Sequence, residues 1–137
     1  MLKSKNIILY GILALVVGGG MYYFLPTFLS DPFEKIKTEV LQTSKTLPKM
    51  VDTETRFDSV LFVNKKIENH YTLVNITKSE IDIETMLPNV KESLKNSICG
   101  KQNFMDNLSK GIEYSFSYKD KNSEQISTIV ITKSDCK

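Results

Sequence analysis

The chain has 137 residues, 41% of them hydrophobic, with 18 basic and 16 acidic side chains and a net charge of +2. That length suffices for one modest domain and a membrane anchor. Lys3 and Lys5 precede an apolar block, so the rest of the chain carries 16 charges of each sign, without the basic surplus expected of a nucleic-acid binder.

Residues 7–25 (IILYGILALVVGGGMYYFL) are 19 uncharged residues, extended by Thr27, Phe28 and Leu29. As a helix this run would span about 28 Å, close to the ~30 Å hydrocarbon thickness of a bilayer. The expectation is a transmembrane signal anchor over 7–29. Tyr22, Tyr23 and Phe24 fall near one end, where interfacial aromatics settle. Lys3 and Lys5 lie before the segment, and Asp31 and Glu34 come first after it. Positive-inside then puts residues 1–6 in the cytoplasm and an extracytoplasmic domain at 30–137, on a single-pass inner-membrane protein facing the periplasm. A cleaved signal peptide ending near Gly18-Gly19-Gly20 is the competing reading, weakened by the apolar Met21–Leu25 end it would leave in water. Ala14 and Gly18 form a small-xxx-small pair that offers weak self-association between helices.

In the domain, Asp31-Pro32 reads as a helix start, and Phe33, Ile36 and Val40 follow at helical spacing until Pro48 approaches. Residues 55–64 and 68–77 are rich in β-branched and aromatic side chains around a break at Lys65-Lys66-Ile67, the signature of a hairpin. Met86, Val90, Leu94 and Ile98 then recur every four residues. Asp82, Glu84 and Thr85 supply start signals, Pro88 is expected in the first turn, and Gly100 is a stop. Phe104, Met105 and Leu108 predict a second short helix ending at Gly111. Ile112, Tyr114, Phe116 and Tyr118 alternate with polar residues, the pattern of a strand covered on one face. A turn at 120–123 leads to a returning strand at 125–133. The expected fold is α+β: an N-terminal transmembrane helix, then helix, hairpin, two helices and hairpin, with about four antiparallel strands under helices on one face.

Cys99 and Cys136 are the only cysteines, 37 residues apart, and neither has a metal-spaced neighbour. Two cysteines in a small exported domain read as one disulfide. The single histidine, His70, lies within a strand, and no cluster of ligand types suggests a metal or other cofactor. No nucleophile has a base beside it in the pattern that covalent catalysis uses, so no catalytic residue is assigned. Two acidic groups stand out: Asp52, Glu54 and Asp58, and Glu80, Asp82 and Glu84. The second suits a helix N-terminus, which favours acids. The first surrounds Arg56, which can bridge Asp52, Glu54 or Asp58 and so serve either structure or partner binding.

The stretch 47–75 contains Leu47-Pro48, Val51-Asp52, Glu54-Thr55-Arg56 and Asp58, then Tyr71, Leu73, Val74 and Asn75. Cys99, Gly111, Tyr114, Phe116 and Cys136 follow. This series resembles a pattern in small, uncharacterised, signal-anchored envelope proteins of bacteria. The resemblance covers most of the domain and implies an extracytoplasmic location. It brings no catalytic residues. The functional expectation is a membrane-tethered, non-enzymatic module that binds an envelope protein, as an accessory, inhibitor, immunity or exclusion factor. The alternatives are a small envelope hydrolase using the acidic run with Arg56 or His70, and a structural spacer.

Overall fold

Alternation of apolar and polar residues along each strand decides which face of the sheet is covered, and the helices follow it. The computed structural model describes residues 31–136. The segments 1–6 and 7–29, with Ala14 and Gly18, lie outside the described residues. The chain divides into two units, Met1–Lys35 and Ile36–Lys137.

The expected fold, a membrane-crossing helix ahead of four antiparallel strands, requires correction. Among the described residues no helix is long and apolar enough to cross a membrane. The sheet has five strands and is mixed, in the order β1 (Lys49–Met50), β2 (Thr55–Val63), β3 (Lys66–Leu73), β4 (Glu113–Lys119) and β5 (Gln125–Ile131). Among the described residues three α-helices accompany it: α1 (Glu34–Ser44), α2 (Ile83–Cys99) and α3 (Gln102–Ser109).

Two of the antiparallel joins are the hairpins β2–β3 and β4–β5, and the third folds β1 back on β2, with Lys49 opposite Phe57. The join between hairpins is parallel, with Ile67 beside Tyr114 and Tyr71 beside Tyr118. A crossover through helices returns the chain to the end of the sheet where it started, and this makes the strands parallel. The backbone N–H of Glu113 accordingly donates to the carbonyl of Lys65, at the start of β3, over 2.9 Å.

The β2–β3 turn also sits one residue earlier than expected. Asn64 and Lys65 have φ of +52° and +61°, and β3 begins at Lys66. Two consecutive left-handed residues match the right-handed twist of a two-residue hairpin. The helix α2 begins at Ile83, capped by the side chain of Asp82, so Pro88 falls in its second turn rather than its first. Its ring removes the N–H that would have donated to Glu84.

The covered face carries Phe57 and Val60 from β2, Ile67 and Tyr71 from β3, Tyr114, Phe116 and Tyr118 from β4, and Ile129 and Ile131 from β5. Phe104 of α3 meets the Tyr114 ring edge-on at 5.3 Å, and Asn107 donates to the Tyr114 hydroxyl at 2.8 Å. Leu108, Ile112 and Ile131 are fully buried at the centre. Cys99 ends α2 and is bonded to Cys136, just beyond β5, with a Cα separation of 5.4 Å. Gly100 follows Cys99 at φ −86°, and a Cβ there would lie 2.9 Å from the carbonyl oxygen of Asn96.

Asp120 organises the far end of the sheet. Its side chain is buried and accepts backbone N–H groups from Lys78, Asn122 and Glu124, each at 2.8 Å. The β4–β5 turn is thereby tied to the short 3-10 turn Lys78–Glu80. The Lys78 N–H above all, then those of Glu124 and Asn122, outweighs the cost of burial and holds the Asp120 carboxyl below the usual carboxylate range.

Candidate functional site

The polar run at 52–58 is split by the structure into two separate devices. Asp52 accepts the N–H groups of Glu54 at 2.8 Å and Thr55 at 2.7 Å, which shapes the turn between β1 and β2. Those two bonds, that of Glu54 foremost, lower its pKa. Asp58 occupies a bulge in β2, between Phe57 and Ser59. One of its oxygens lies 2.5 Å from Arg56 Nε and the other 2.5 Å from the Thr72 hydroxyl on β3. Burial is the largest single influence on Asp58 and opposes its charge. The Thr72 hydroxyl, the Arg56 guanidinium and the charge of Lys119 together overcome it, so the carboxyl titrates below its ordinary value. Arg56 and Asp58 are therefore brought together, with Thr72 as a third member that sequence spacing did not indicate. Asp52 has its own backbone partners, and Glu54 contributes its carbonyl to the N–H of Val74 at 2.9 Å.

The remaining candidates are distributed elsewhere. His70 lies in a cross-strand row with Ser59 and Ser117, on the face opposite the helices, and its Nε2 is 3.5 Å from Glu68. Glu80 accepts the Thr77 N–H at 2.9 Å, and Asp82 accepts the Thr85 hydroxyl at 2.8 Å. Both acids close local turns. Among the described residues no three His, Cys, Asp or Glu side chains converge on a point that could hold a metal ion.

A different feature has the shape of a binding site. The apolar stripe of α2 is fully buried only at Ile98, whereas Met86, Leu87, Val90 and Leu94 are incompletely buried. Met86, Leu87 and Val90 face Leu73, Tyr118 and Ile126 across a cleft of about 190 Å³ whose lining is predominantly apolar. The cleft floor continues a cross-strand stack in which Tyr71 packs on Phe57 at 4.7 Å and on Tyr118 at 5.2 Å. Burial in this stack, reinforced by the neighbouring Tyr118, pushes the Tyr71 hydroxyl up to about 12. The arrangement presents the rigid ring of Tyr118 beside flexible methionine and aliphatic side chains. It can receive an apolar segment and offers no converging acid–base pair.

No family model matches the chain, and no curated protein matches it in sequence. Solved structures do match its shape. A pilotin of the Vibrio vulnificus type 2 secretion system aligns with a TM-score of 0.59 at 11% identity, over 75% of this chain and 89% of that one. A type II secretion pilotin of Vibrio cholerae aligns with a TM-score of 0.55 at 17% identity, over 73% and 87%. The chain shares its fold with these two proteins. A Pseudomonas aeruginosa protein inferred to be secreted shares it with a TM-score of 0.62 at 19% identity, over 81% of this chain and 95% of that one. Identities this low establish a common fold and nothing more.

Of the cleft residues, Met86 and Val90 belong to the apolar helical repeat read from the sequence, and Leu87 lies beside it. Their i, i+1, i+4 spacing is the same whether a helix is pressed on a sheet or stands off it. The one local hint was Pro88 inside the stripe, where a tightly packed helix seldom places it.

Proposed function

We propose that this chain is a non-enzymatic protein-binding module of the bacterial envelope, an accessory factor of the kind found in secretion machinery. Its binding site is the cleft beneath the first half of α2. The observation that carries the reading is the incompletely buried trio Met86, Leu87 and Val90 facing Leu73, Tyr118 and Ile126 across a mostly apolar cleft. The shared fold with two secretion-system pilotins supports it. So do the uncharged segment 7–29, which suits export to the periplasm, and the resemblance of 47–75 to envelope proteins. The acids considered for hydrolysis favour this reading as well, because Asp52 and Asp58 are each engaged by their own structural partners.

The test is site-specific photocrosslinking in intact cells, with the photoreactive residue at Val90 of the full chain. The expected result is one dominant protein adduct, lost when Met86→Glu is added. If no adduct forms, or if Met86→Glu leaves it intact in a correctly folded protein, the cleft is not the site.

A further inference from the structure

The two halves of α2 are held differently. Cys99 is bonded to Cys136, and Ile98 beside it is only 5% exposed. Asp135 lies 3.8 Å from Lys91, two turns earlier in the helix, and its carboxylate also accepts the N–H of Thr132 at 2.8 Å. The C-terminal half is thus tied to the end of β5. Among the described residues, the side-chain hydrogen bonds of the N-terminal half are local. The Thr85 hydroxyl donates to Asp82 at 2.8 Å, and Asn89 donates to the Thr85 carbonyl at 3.2 Å. Two clefts border this half. One of about 190 Å³ lies between Met86 and Val90 and the sheet, and one of about 430 Å³ lies between Pro88 and residues 127–130. Leu87 lines both. Interiors are normally close-packed, so a helix bordered by two openings forgoes much of the dispersion that presses helix to sheet. Pro88 adds to this, because it has no N–H to give the carbonyl of Glu84.

We propose that residues 83–90 are a lid over the smaller cleft: they tilt away from the sheet on a base fixed at Cys99 and Cys136, and the tilt admits the partner's apolar segment. This rests on the protein-binding reading above and adds how that site is opened. At about 190 Å³ the cleft is smaller than the ~300–1,000 Å³ of ordinary ligand pockets, so a segment with several apolar side chains requires more room than the resting state offers. The disulfide sets the direction. It keeps the Cα atoms of Cys99 and Cys136 5.4 Å apart and leaves the other end of the helix to move. That end is itself limited. The preceding turn, Lys78–Glu80, is held to Asp120 through the Lys78 N–H, and only Ile81 and Asp82 separate it from α2. Two residues reach about 7 Å, so the movement is a tilt of a few ångström that returns to one closed position.

The test is methyl relaxation-dispersion NMR on the full chain in detergent micelles. The expected result is one shared exchange process on the μs–ms scale at Met86, Leu87, Val90 and Leu73, with about 1–10% of an open state, and none at Ile98 or Ile131. A capped leucine-lysine-leucine peptide should raise the open population by about fivefold. Cys99→Ser combined with Cys136→Ser should extend the exchange to Leu94 and Ile98. If the exchange stays confined to the first half in that variant, the disulfide is not the base and the inference fails. Absence of exchange at the cleft methyls of the unaltered chain overturns it as well, and so does exchange that includes Ile98 while the bond is intact. Exchange that the peptide leaves unchanged removes the lid's part in admission. If exchange is absent while the Val90 photoadduct forms, the lid falls and the cleft reading stands. If the exchange and the peptide response are present without an adduct, the lid stands and the protein-binding reading falls.

Discussion

The Asp58 carboxylate on β2 accepts the hydroxyl of Thr72 on β3 at 2.5 Å, and Thr72 is only 6% exposed. The same carboxylate holds Arg56, whose side chain is 44% exposed. Asp58→Ala would strand a buried hydroxyl, which costs about 1–2 kcal/mol, whereas the solvent-screened Arg56 pair adds little. Urea denaturation of Asp58→Ala and Arg56→Ala should show the first clearly destabilised and the second nearly unchanged. Equal effects would make the ion pair the important interaction.

Asp52, Asp58, Asp120 and Asp135 all titrate below their ordinary range in the folded chain. A depressed folded pKa favours the native state above the unfolded value, about 3.9, and that contribution disappears as pH falls through the folded values. Thermal stability should therefore be flat from neutrality to about pH 5 and drop below about pH 4. Because Asp120 is buried and ties two turns while Asp52 is exposed, Asp120→Ala should lower the midpoint more than Asp52→Ala.

At the alkaline end the sign is reversed. The Tyr71 hydroxyl is raised to about 12, so its contribution is complete below the unfolded value near 10 and is lost as pH rises through about 12. Tyr71→Phe keeps the ring between Phe57 and Tyr118 and should flatten that alkaline loss in a fluorescence-monitored titration. An unchanged alkaline limb would place the sensitivity in another group.

The bond between Cys99 and Cys136 closes a loop of 37 residues, which in the chain-entropy model stabilises by roughly 3–4 kcal/mol. Reduction should lower the urea midpoint accordingly without changing the fold near neutral pH. Both thiols should resist alkylation until the bond is reduced, as mass spectrometry will show.

Lys65 holds φ +61° at the second position of a two-residue turn, a conformation that costs a non-glycine residue about 1 kcal/mol. Lys65→Gly should stabilise the domain by up to about that amount, since its backbone bond to Glu113 is retained. Gly111, at φ +87°, should respond in the opposite direction on substitution by alanine. Equilibrium denaturation reads both.

The candidate site was partly visible in the sequence. Arg56 and Asp58 stand two apart on one strand and do meet, but their third partner, Thr72, is on the next strand and depends on a register shifted by a bulge. Asp52 was grouped with them by proximity, yet its carboxylate turns to the backbone of Glu54 and Thr55. The cleft was not legible, because the spacing of Met86, Leu87 and Val90 records which face of α2 is apolar and not its distance from the sheet.

What the sequence determined by itself is local. Alternation at 112–118 places Tyr114 and Phe116 on one face of a strand, and Met86, Val90, Leu94 and Ile98 share one side of a helix. Two cysteines among 137 residues leave one possible intrachain bond. The tertiary structure alone decided that the hairpins join in parallel through β3 and β4, that Lys49 and Met50 add a fifth strand, and that β5 is the outer strand opposite β1. Periodicity is set by residues within one or two turns of each other. Pairing between strands some forty residues apart is set by where the intervening helices return the chain, and no short window of residues encodes that path.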